Sequence, residues 1–452
     1  MSILTKSKIL ATLFIGLTIN IQATEQKTAI FADEHNPDRI IAVDYKNMKV
    51  IDTHYIQGEL NHHADVIGNL KNSKYIMMVP KGSRFVTFRK KTDRSFVKKL
   101  DLPFQPRSGD AYNSRYNLTL LTSSNRPSAV LIDNRSLKIV GRAGFNIRCN
   151  APSLNELYEN SNISSQTCTA PDFGGSQISG HPMWLNSNNF AILDRSNRVI
   201  HVYSIRRNYW TGEWRTRLVD RVKTETSIHQ MIPFHKYSNT FYAMAEGNFD
   251  TKVPARMYKL RFFFNHLRII KSTPLKTNGV TGIGGHNLYM TPNRRYLYGA
   301  TASGSVFVVN THRLNIRTTI KAGAGAGHVN FMKNGRYGAV TNHQADYVTI
   351  FDYKRHKFVK NIQTPFEKQN IASLLHSHSP YIEGKYFYNF WTDGGVFYRI
   401  NLRTLTLDKS VKVGGIPIQG NYFKKIVTQR QHSFGHRGPL RITSPFHLLC
   451  GI

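Results

Sequence analysis

Histidine has the clearest chemical potential in this sequence, because it recurs in similar surroundings along the chain. A consecutive pair is followed by single histidines, three of them directly after glycine, and the set is His62, His63, His181, His229, His286, His328 and His378. The imidazole ring binds copper, zinc, iron and nickel. A cavity with many histidines and no thiolate is best suited to copper or iron chemistry. The pattern therefore predicts a transition-metal site, with copper as the first choice.

Cysteine chemistry contributes little to such a site. The chain has three cysteines and no CxxC or CxxCH sequence, which disfavours thiolate zinc ribbons, cysteine-ligated iron–sulfur clusters and covalently attached c-type haem. In an oxidising compartment Cys149 and Cys168 are able to close a disulfide around a polar loop, which leaves Cys450 over. The sequence also lacks Walker, HExxH, nucleophile-elbow and dinucleotide motifs, so hydrolase and nucleotide-dependent functions have no support.

The histidines belong to an internal repeat. Residues 285–310 and 327–352 each contain a short strand that starts with Gly-His, a tight polar turn, a second strand, a short loop and a third strand. A fourth strand follows, at 317–321 and 358–362 respectively. Short strands at even spacing with polar turns are typical of β-propeller blades. We therefore predict an all-β fold, a single β-propeller of seven or eight four-stranded blades.

The two ends of the chain are predicted to close the ring. Strands at 29–32, 39–45 and 48–55 lack an innermost partner, which the segment 415–423 is suited to supply. Counting this shared blade gives eight blades, and the alternative is seven blades with an extra terminal segment. The predicted propeller spans residues 27–424 and carries an insertion between blades at 146–173, and residues 425–452 are interpreted as a basic surface tail.

Radial symmetry converts a sequence repeat into a spatial ring. The innermost strands of a propeller line its central channel, so we expect the seven histidines to gather at one rim of the hub. The loop between the second and third strands returns to the same rim, which predicts that His343 lies beside His328 as a supporting, cofactor-contacting group. The alternative is that each histidine is structural and forms hydrogen bonds between blades. The protein would then be a non-catalytic interaction scaffold.

The histidine pattern resembles the N-terminal propeller of the nitrous-oxide reductase family. The segment Asn61-His62-His63-Ala64-Asp65 is similar to that family's paired-histidine motif, and the later single histidines stand where further ligands of its four-copper sulfide cluster are expected. The resemblance implies a copper site and reductive chemistry. The family's cupredoxin domain has no counterpart here, so an enzyme of this kind would be a metal-dependent oxidoreductase fed by a separate electron donor.

A second, weaker resemblance is to the eight-bladed propeller of haem d-type nitrite reductases, with YVTN-type repeats. It rests on the stretch 341–346, Thr-Asn-His-Gln-Ala-Asp, followed by a strand. It implies that His343 contacts a haem d-type cofactor, so iron or haem d are alternatives to copper, as is the absence of any cofactor.

The N-terminal segment and the charge predict where the protein works. Lys6 and Lys8, an apolar run from Ile9 to Ile19 and a small residue at Ala23 are typical of a secretory signal peptide over residues 1–23. The mature chain is thus expected to be periplasmic or secreted. With 61 Lys and Arg against 27 Asp and Glu, the net charge of +34 favours an anionic protein, membrane surface or polysaccharide as partner, and no nucleic acid is expected outside the cell.

Overall fold

The computed structural model describes residues 25–427, except 35–37, 57, 61–63, 69–73, 159–166 and 173–176. This part of the chain is all-β and forms eight four-stranded antiparallel sheets and one two-stranded ribbon. The predicted signal peptide, the pair His62 and His63, and nearly all of the predicted tail lie outside the described residues. The eight sheets confirm the predicted propeller and decide between seven and eight blades.

The first four blades follow one another along the chain. Blade 1 contains β1 (Glu25–Asp33), β2 (Arg39–Asp44), β3 (Lys49–Tyr55) and, from the far end of the chain, β34 (Pro417–Val427). Blade 2 contains β4 (Asp65–Ile67), β5 (Tyr75–Val79), β6 (Phe85–Lys90) and β7 (Phe96–Asp101). Blade 3 contains β8 (Pro106–Asn113), β9 (Leu118–Ser123), β10 (Ala129–Asp133) and β11 (Lys138–Ala143). Blade 4 contains β12 (Met183–Trp184), β13 (Asn189–Asp194), β14 (Val199–Arg207) and β15 (Trp214–Lys223).

The last four blades repeat the same strand order. Blade 5 contains β16 (Ile228–Pro233), β17 (Thr240–Ala245), β18 (Arg256–Phe263) and β19 (His266–Pro274), and the ribbon of β20 (Lys276–Thr277) and β21 (Val280–Thr281) follows it. Blade 6 contains β22 (Gly285–Met290), β23 (Tyr296–Thr301), β24 (Ser305–Asn310) and β25 (Ile316–Lys321). Blade 7 contains β26 (Ala326–Phe331), β27 (Tyr337–Asn342), β28 (Tyr347–Asp352) and β29 (Lys357–Gln363). Blade 8 contains β30 (Tyr381–Glu383), β31 (Tyr386–Trp391), β32 (Val396–Asn401) and β33 (Thr406–Lys412).

The ring closes through β34, as the sequence predicts. This strand is the last in the described chain, and it pairs antiparallel with β1, with Ala29 opposite Tyr422 and Phe31 opposite Gly420. A Cβ atom at Gly420 would lie 2.4 Å from Cγ of Phe31, so the closing strand needs glycine here to approach its partner. Closure removes the exposed strand edge that an open array of blades would carry.

Apolar side chains between neighbouring blades form the core. Met77 and Phe88 of blade 2, for example, are fully buried in one cluster with Leu121 and Val130 of blade 3. Each such side chain contributes about 1.5 to 3 kcal/mol by leaving water. The central strands of each blade are buried on both faces and the outermost strands are largely exposed, so the first strands are left to line the hub. No helix in the described part of the chain is long and apolar enough to cross a membrane.

The predicted insertion between blades 3 and 4 is held by a disulfide. Cys149 and Cys168 are bonded, with their Cα atoms 5.2 Å apart. Asp172, next to this loop, accepts hydrogen bonds from the backbone N–H and the hydroxyl of Ser227. The insertion therefore supports the entry to blade 5, which carries one of the hub histidines.

Candidate metal centre at the hub

Histidines from four consecutive blades meet at the hub. The ring centroids of His229 and His286 are 4.7 Å apart, those of His286 and His328 are 5.2 Å apart, and those of His328 and His343 are 5.3 Å apart. The ring of His378 is 4.4 Å from that of His343 and 5.9 Å from that of His286. Five of the histidine positions singled out in the sequence thus form one cluster.

A β-bulge turns the chain at each of three hub histidines. The pairing between the first and second strands shifts between Ile228 and Gln230 in blade 5, between Gly285 and Leu288 in blade 6, and between Ala326 and His328 in blade 7. A bulge inserts an extra residue and re-aims the neighbouring side chains. The first strands of blades 5, 6 and 7 therefore each place a histidine at or next to a β-bulge.

Gly327 leaves the space that His343 occupies. A Cβ atom at this position would lie 2.5 Å from Nε2 of His343 and 3.2 Å from Nδ1 of His286. Any larger residue would push into the cluster, so the glycine of the Gly-His pair is needed for close approach.

Three of the histidines are spaced almost as a metal ion requires. His286, His328 and His343 each offer a ring nitrogen, and these three nitrogens all lie within 4.8 Å of one another. A tetrahedral ion with bonds of about 2 Å holds its nitrogen ligands roughly 3.3 Å apart. Inward movements of about 1 Å would bring the three rings to ligating distance.

The two ring nitrogens of His343 have different surroundings. Its Nδ1–H donates to the backbone carbonyl of His376 at 2.9 Å, and its Nε2 is buried and has no partner among the described residues. Burial lowers the pKa of His343 to about 4. The ring is therefore neutral at pH 7, with the Nε2 lone pair available to a metal.

His229 shows the same division between its two nitrogens. Its Nδ1–H donates to Oε1 of Glu246 at 2.9 Å, and its Nε2 is buried without a partner. Glu246 is completely buried, and Arg195 donates to both of its carboxylate oxygens. Burial raises the pKa of Glu246 to about 7, and the charge of Arg195 opposes this rise. A carboxylate behind a histidine fixes the ring and increases its basicity, as is usual for metal ligands.

His328 has polar neighbours that suit a ligand. Its Nδ1 lies 2.7 Å from the hydroxyl of Tyr289 and 3.1 Å from the side-chain amide of Asn287. Its Nε2 is buried without a partner, and so is Oδ1 of Asn287. With the proton on Nδ1, His328 donates to Tyr289, and a half-turn of the Asn287 amide gives a second acceptor. That tautomer leaves the Nε2 lone pair directed to the hub.

Two further histidines of the predicted set, His378 and His181, adjoin these rings. Nδ1 of His378 is 3.2 Å from Nε2 of Gln419 on the closing strand β34. The His181 ring is 5.3 Å from that of His229, and its Nδ1–H donates to Oδ2 of Asp110 at 3.1 Å. Nε2 of His181 lies 3.5 Å from Nη2 of Arg107, which can only donate. This contact competes with metal binding by His181.

Electrostatics keep the cluster uncharged. Burial lowers the pKa values of His229, His286, His328 and His378 well below the ordinary range, and neighbouring histidines lower them further. A buried charged imidazolium would be costly, and several in one cavity would repel one another. The hub therefore offers neutral imidazoles, the form in which histidine binds metals.

Several groups around the cluster were not assigned as site residues from the sequence. Glu246, Arg195, Asn287 and Arg107 orient or flank the histidines through contacts between different blades. The repeat could have indicated two of them. Arg107 occupies the position in its blade that histidine occupies in others, and Glu246 occupies the position equivalent to His343. His376 lies in the same short segment as His378, but its side chain contacts Tyr398 inside blade 8 and its carbonyl positions His343.

Comparisons with solved structures support the fold. The dihydro-haem d1 dehydrogenase NirN, in complex with DHE, aligns with a TM-score of 0.60 and 10% identity, covering 88% of this chain and 75% of that one. Apo AztD from Citrobacter koseri aligns with a TM-score of 0.55 and 10% identity, covering 90% of this chain and 100% of that one. BamB from Moraxella catarrhalis aligns with a TM-score of 0.52 and 10% identity, covering 78% of this chain and 89% of that one.

These similarities confirm the resemblance to propeller proteins that the sequence predicts, including a propeller linked with haem d1. At about one identical residue in ten they show the fold alone. No protein-family model matches the chain. No curated protein sequence matches it significantly either.

Proposed function

We propose that the protein binds a transition-metal ion, first of all copper, at the hub of the propeller. The observation that carries the proposal is the set of buried ring nitrogens at the hub without partners among the described residues: Nδ1 of His286 and Nε2 of His229, His328 and His343. Each unpaired buried polar group costs about 1 to 3 kcal/mol. Three of these rings, His286, His328 and His343, each offer a nitrogen within 4.8 Å of the others, so a metal bound between them would compensate for the missing partners.

The donor set favours copper over the other metals. The ligands would be neutral nitrogen donors, His286, His328 and His343, joined by His229 or His378 as the rings adjust. At a nitrogen site of this kind Cu(II) binds more tightly than the other divalent first-row ions. The roles of His62 and His63 remain those predicted from the sequence, because these residues lie outside the described ranges.

Redox chemistry is the function that such a copper site would support. The protein would be an oxidoreductase whose electrons come from a separate donor. His229, held by Glu246, and His343, held by the carbonyl of His376, would keep the ligand geometry fixed while the metal changes its oxidation state.

A structural role for the histidines is the competing function. In a scaffold, each ring would pair both nitrogens with different protein groups. The described rings instead pair Nδ1 with the protein and leave Nε2 buried and unpaired in His229, His328 and His343. His376, inside blade 8, also leaves Nε2 buried and unpaired, so it is the convergence of such rings at the hub that favours the metal site.

Export of the protein is part of the proposal. The bonded pair Cys149 and Cys168 supports it, because disulfides persist in oxidising compartments and are rare in the cytosol. The N-terminal segment that resembles a signal peptide points the same way.

Metal analysis of the full chain tests the proposal. We expect the purified protein to contain copper at about one atom per chain or more, and His343→Ala and His328→Ala to lose it. His312→Ala, at an exposed turn outside the hub, is the matched control and should retain the metal. An absorption spectrum recorded in parallel shows whether a haem-type cofactor is present instead. A folded wild-type protein that takes up no metal when supplied with copper, zinc or iron would overturn the proposal.

A further inference from the structure

A buried arginine lies beside the histidine cluster without a full set of partners. Arg107, the second residue of β8, has 6% of its surface exposed. Its Nη2 contacts Nε2 of His181 at a long 3.5 Å, and its Nε is buried and has no hydrogen-bond partner among the described residues. A guanidinium group rarely remains buried without hydrogen-bond acceptors, because removing its charge from water is costly.

A second buried basic group, Lys81, lies close enough to act on the cluster. Lys81, in the loop between β5 and β6, has 7% of its surface exposed and forms an ion pair with Asp65 at 3.0 Å. Burial and the neighbouring histidines are the main causes that lower the pKa of His378, and the charge of Lys81 lowers it further. Arg107 acts in the same way on the pKa values of His229 and His286. The histidines therefore lie near two buried basic groups.

The nearby carboxylates already have partners. Asp65 pairs with Lys81, Asp110 accepts hydrogen bonds from Ser108 and His181, and Glu246 is held by Arg195 and His229. Asp65 and Asp110 attract Arg107 through space, but their short contacts go to other residues. The Nε–H of Arg107 therefore remains available as a donor.

A metal at the hub would add positive charge that the nearby carboxylates do not balance. Imidazole ligands are neutral, so a divalent ion would keep both of its charges in a buried site next to Arg107. Buried charges are stable only when they are compensated. The missing component is an anion.

We propose that the hub binds a small anion between Arg107 and the metal, so that the anion accepts hydrogen bonds from the guanidinium and ligates the metal. The inference deepens the proposed function and rests on it. The class is a small oxyanion, carboxylate or linear triatomic anion, since the guanidinium edge favours ligands with more than one acceptor atom. Arg107 would be a binding residue for this anion, and Lys81 would contribute long-range attraction.

Azide is a suitable probe, because it ligates Cu(II) and produces a visible charge-transfer band. The copper-loaded wild-type protein is titrated with azide, and binding is followed by absorption and by electron paramagnetic resonance. We expect saturable binding that weakens at least tenfold in Arg107→Gln. Arg115→Gln is the matched control, because Arg115 is exposed in the turn that follows the same strand β8, and it should bind azide as the wild type does.

The copper content of each variant separates the two proposals. Arg107→Gln is loaded with copper and its copper content is measured before the azide titration, so that a loss of metal is not mistaken for a loss of the anion site. Copper-loaded Arg107→Gln with unchanged azide affinity would overturn the anion site and leave the metal site standing. If the wild type binds no metal, titration calorimetry with azide on the metal-free protein tests whether the anion site exists. Binding that depends on Arg107 would then support the anion site alone, and its absence would refute it.

Discussion

The ring of His343 is held by the backbone of His376, whose carbonyl oxygen accepts the Nδ1 hydrogen at 2.9 Å. His343 lies in the loop between β27 and β28 of blade 7, and His376 lies in the segment that enters blade 8. The orientation of a candidate ligand is thus set by the neighbouring blade. A metal site built in this way requires that adjacent blades are correctly packed, so folding and metal binding should be coupled.

Replacing Gly327 should impair the site without unfolding the protein. In Gly327→Ala the new methyl group would meet the His343 ring, so we expect copper affinity to fall at least tenfold when measured by competition with a chelator. Gly141→Ala, on the outer strand β11, is the control, because its methyl group would meet the flexible side chain of Leu131 at 3.0 Å and the backbone oxygen of Trp214 at an ordinary 3.4 Å. Equal copper affinities in the two variants would contradict the assigned role of Gly327.

Neutralising the carboxylate behind His229 should weaken metal binding. Glu246→Gln keeps the shape of the side chain but removes the charge that orients the ring. Loss of such a supporting carboxylate typically costs 10- to 100-fold in metal affinity. Glu225→Gln is the control, since Glu225 is exposed and its carboxylate pairs with Arg256 rather than with a histidine. If Glu246→Gln binds copper like the wild type, His229 is not a ligand.

The metal-free protein should lose stability in mild acid. Burial lowers the pKa of His376 to about 3 in the folded state, against about 6.5 when unfolded. The unfolded chain therefore binds the proton first, so the stabilising contribution is complete above pH 6.5 and is lost as the pH falls from 6.5 towards 3. The contribution lost from this residue alone is about 2 kcal/mol at pH 5.

Urea unfolding at pH 7 and pH 5 measures this loss. His376→Gln should show a smaller difference between the two pH values than the wild type, because glutamine does not titrate. His312→Ala, which removes an exposed histidine, should behave like the wild type. Identical pH dependence in all three proteins would show that His376 is not held neutral by burial.

Removing the disulfide should affect stability more than the site. The bond between Cys149 and Cys168 closes a loop with a sequence separation of 19 residues. Loop-closure entropy for this length predicts a loss of up to about 3 kcal/mol in Cys149→Ala/Cys168→Ala. Copper content should stay within a factor of about two, because the insertion supports blade 5 only through contacts such as Asp172 with Ser227. Calorimetric unfolding and metal analysis test both parts, with Cys450→Ala as the control.

The sequence by itself determined the repeating architecture. Each blade is a local unit whose strands and turns follow from alternation, glycine and asparagine, so the repeat from 285 to 310 and from 327 to 352 predicts propeller blades. The closing strand was also predictable, because the first blade lacked one strand and the end of the chain offered one. The positions of His229, His286 and His328 on first strands followed from the same periodicity.

Only the tertiary structure decided how the histidines are used. The bulges beside three of the histidines arise between paired strands. The contact of His343 with the carbonyl of His376 and the ion pair of Glu246 with Arg195 arise between neighbouring blades. Arg107 occupies the histidine position of its repeat, but only the structure shows that it is buried beside the ring of His181. The physical reason is that repetition encodes the shape of a blade, whereas burial and the direction of a ring nitrogen depend on contacts between residues far apart in the chain.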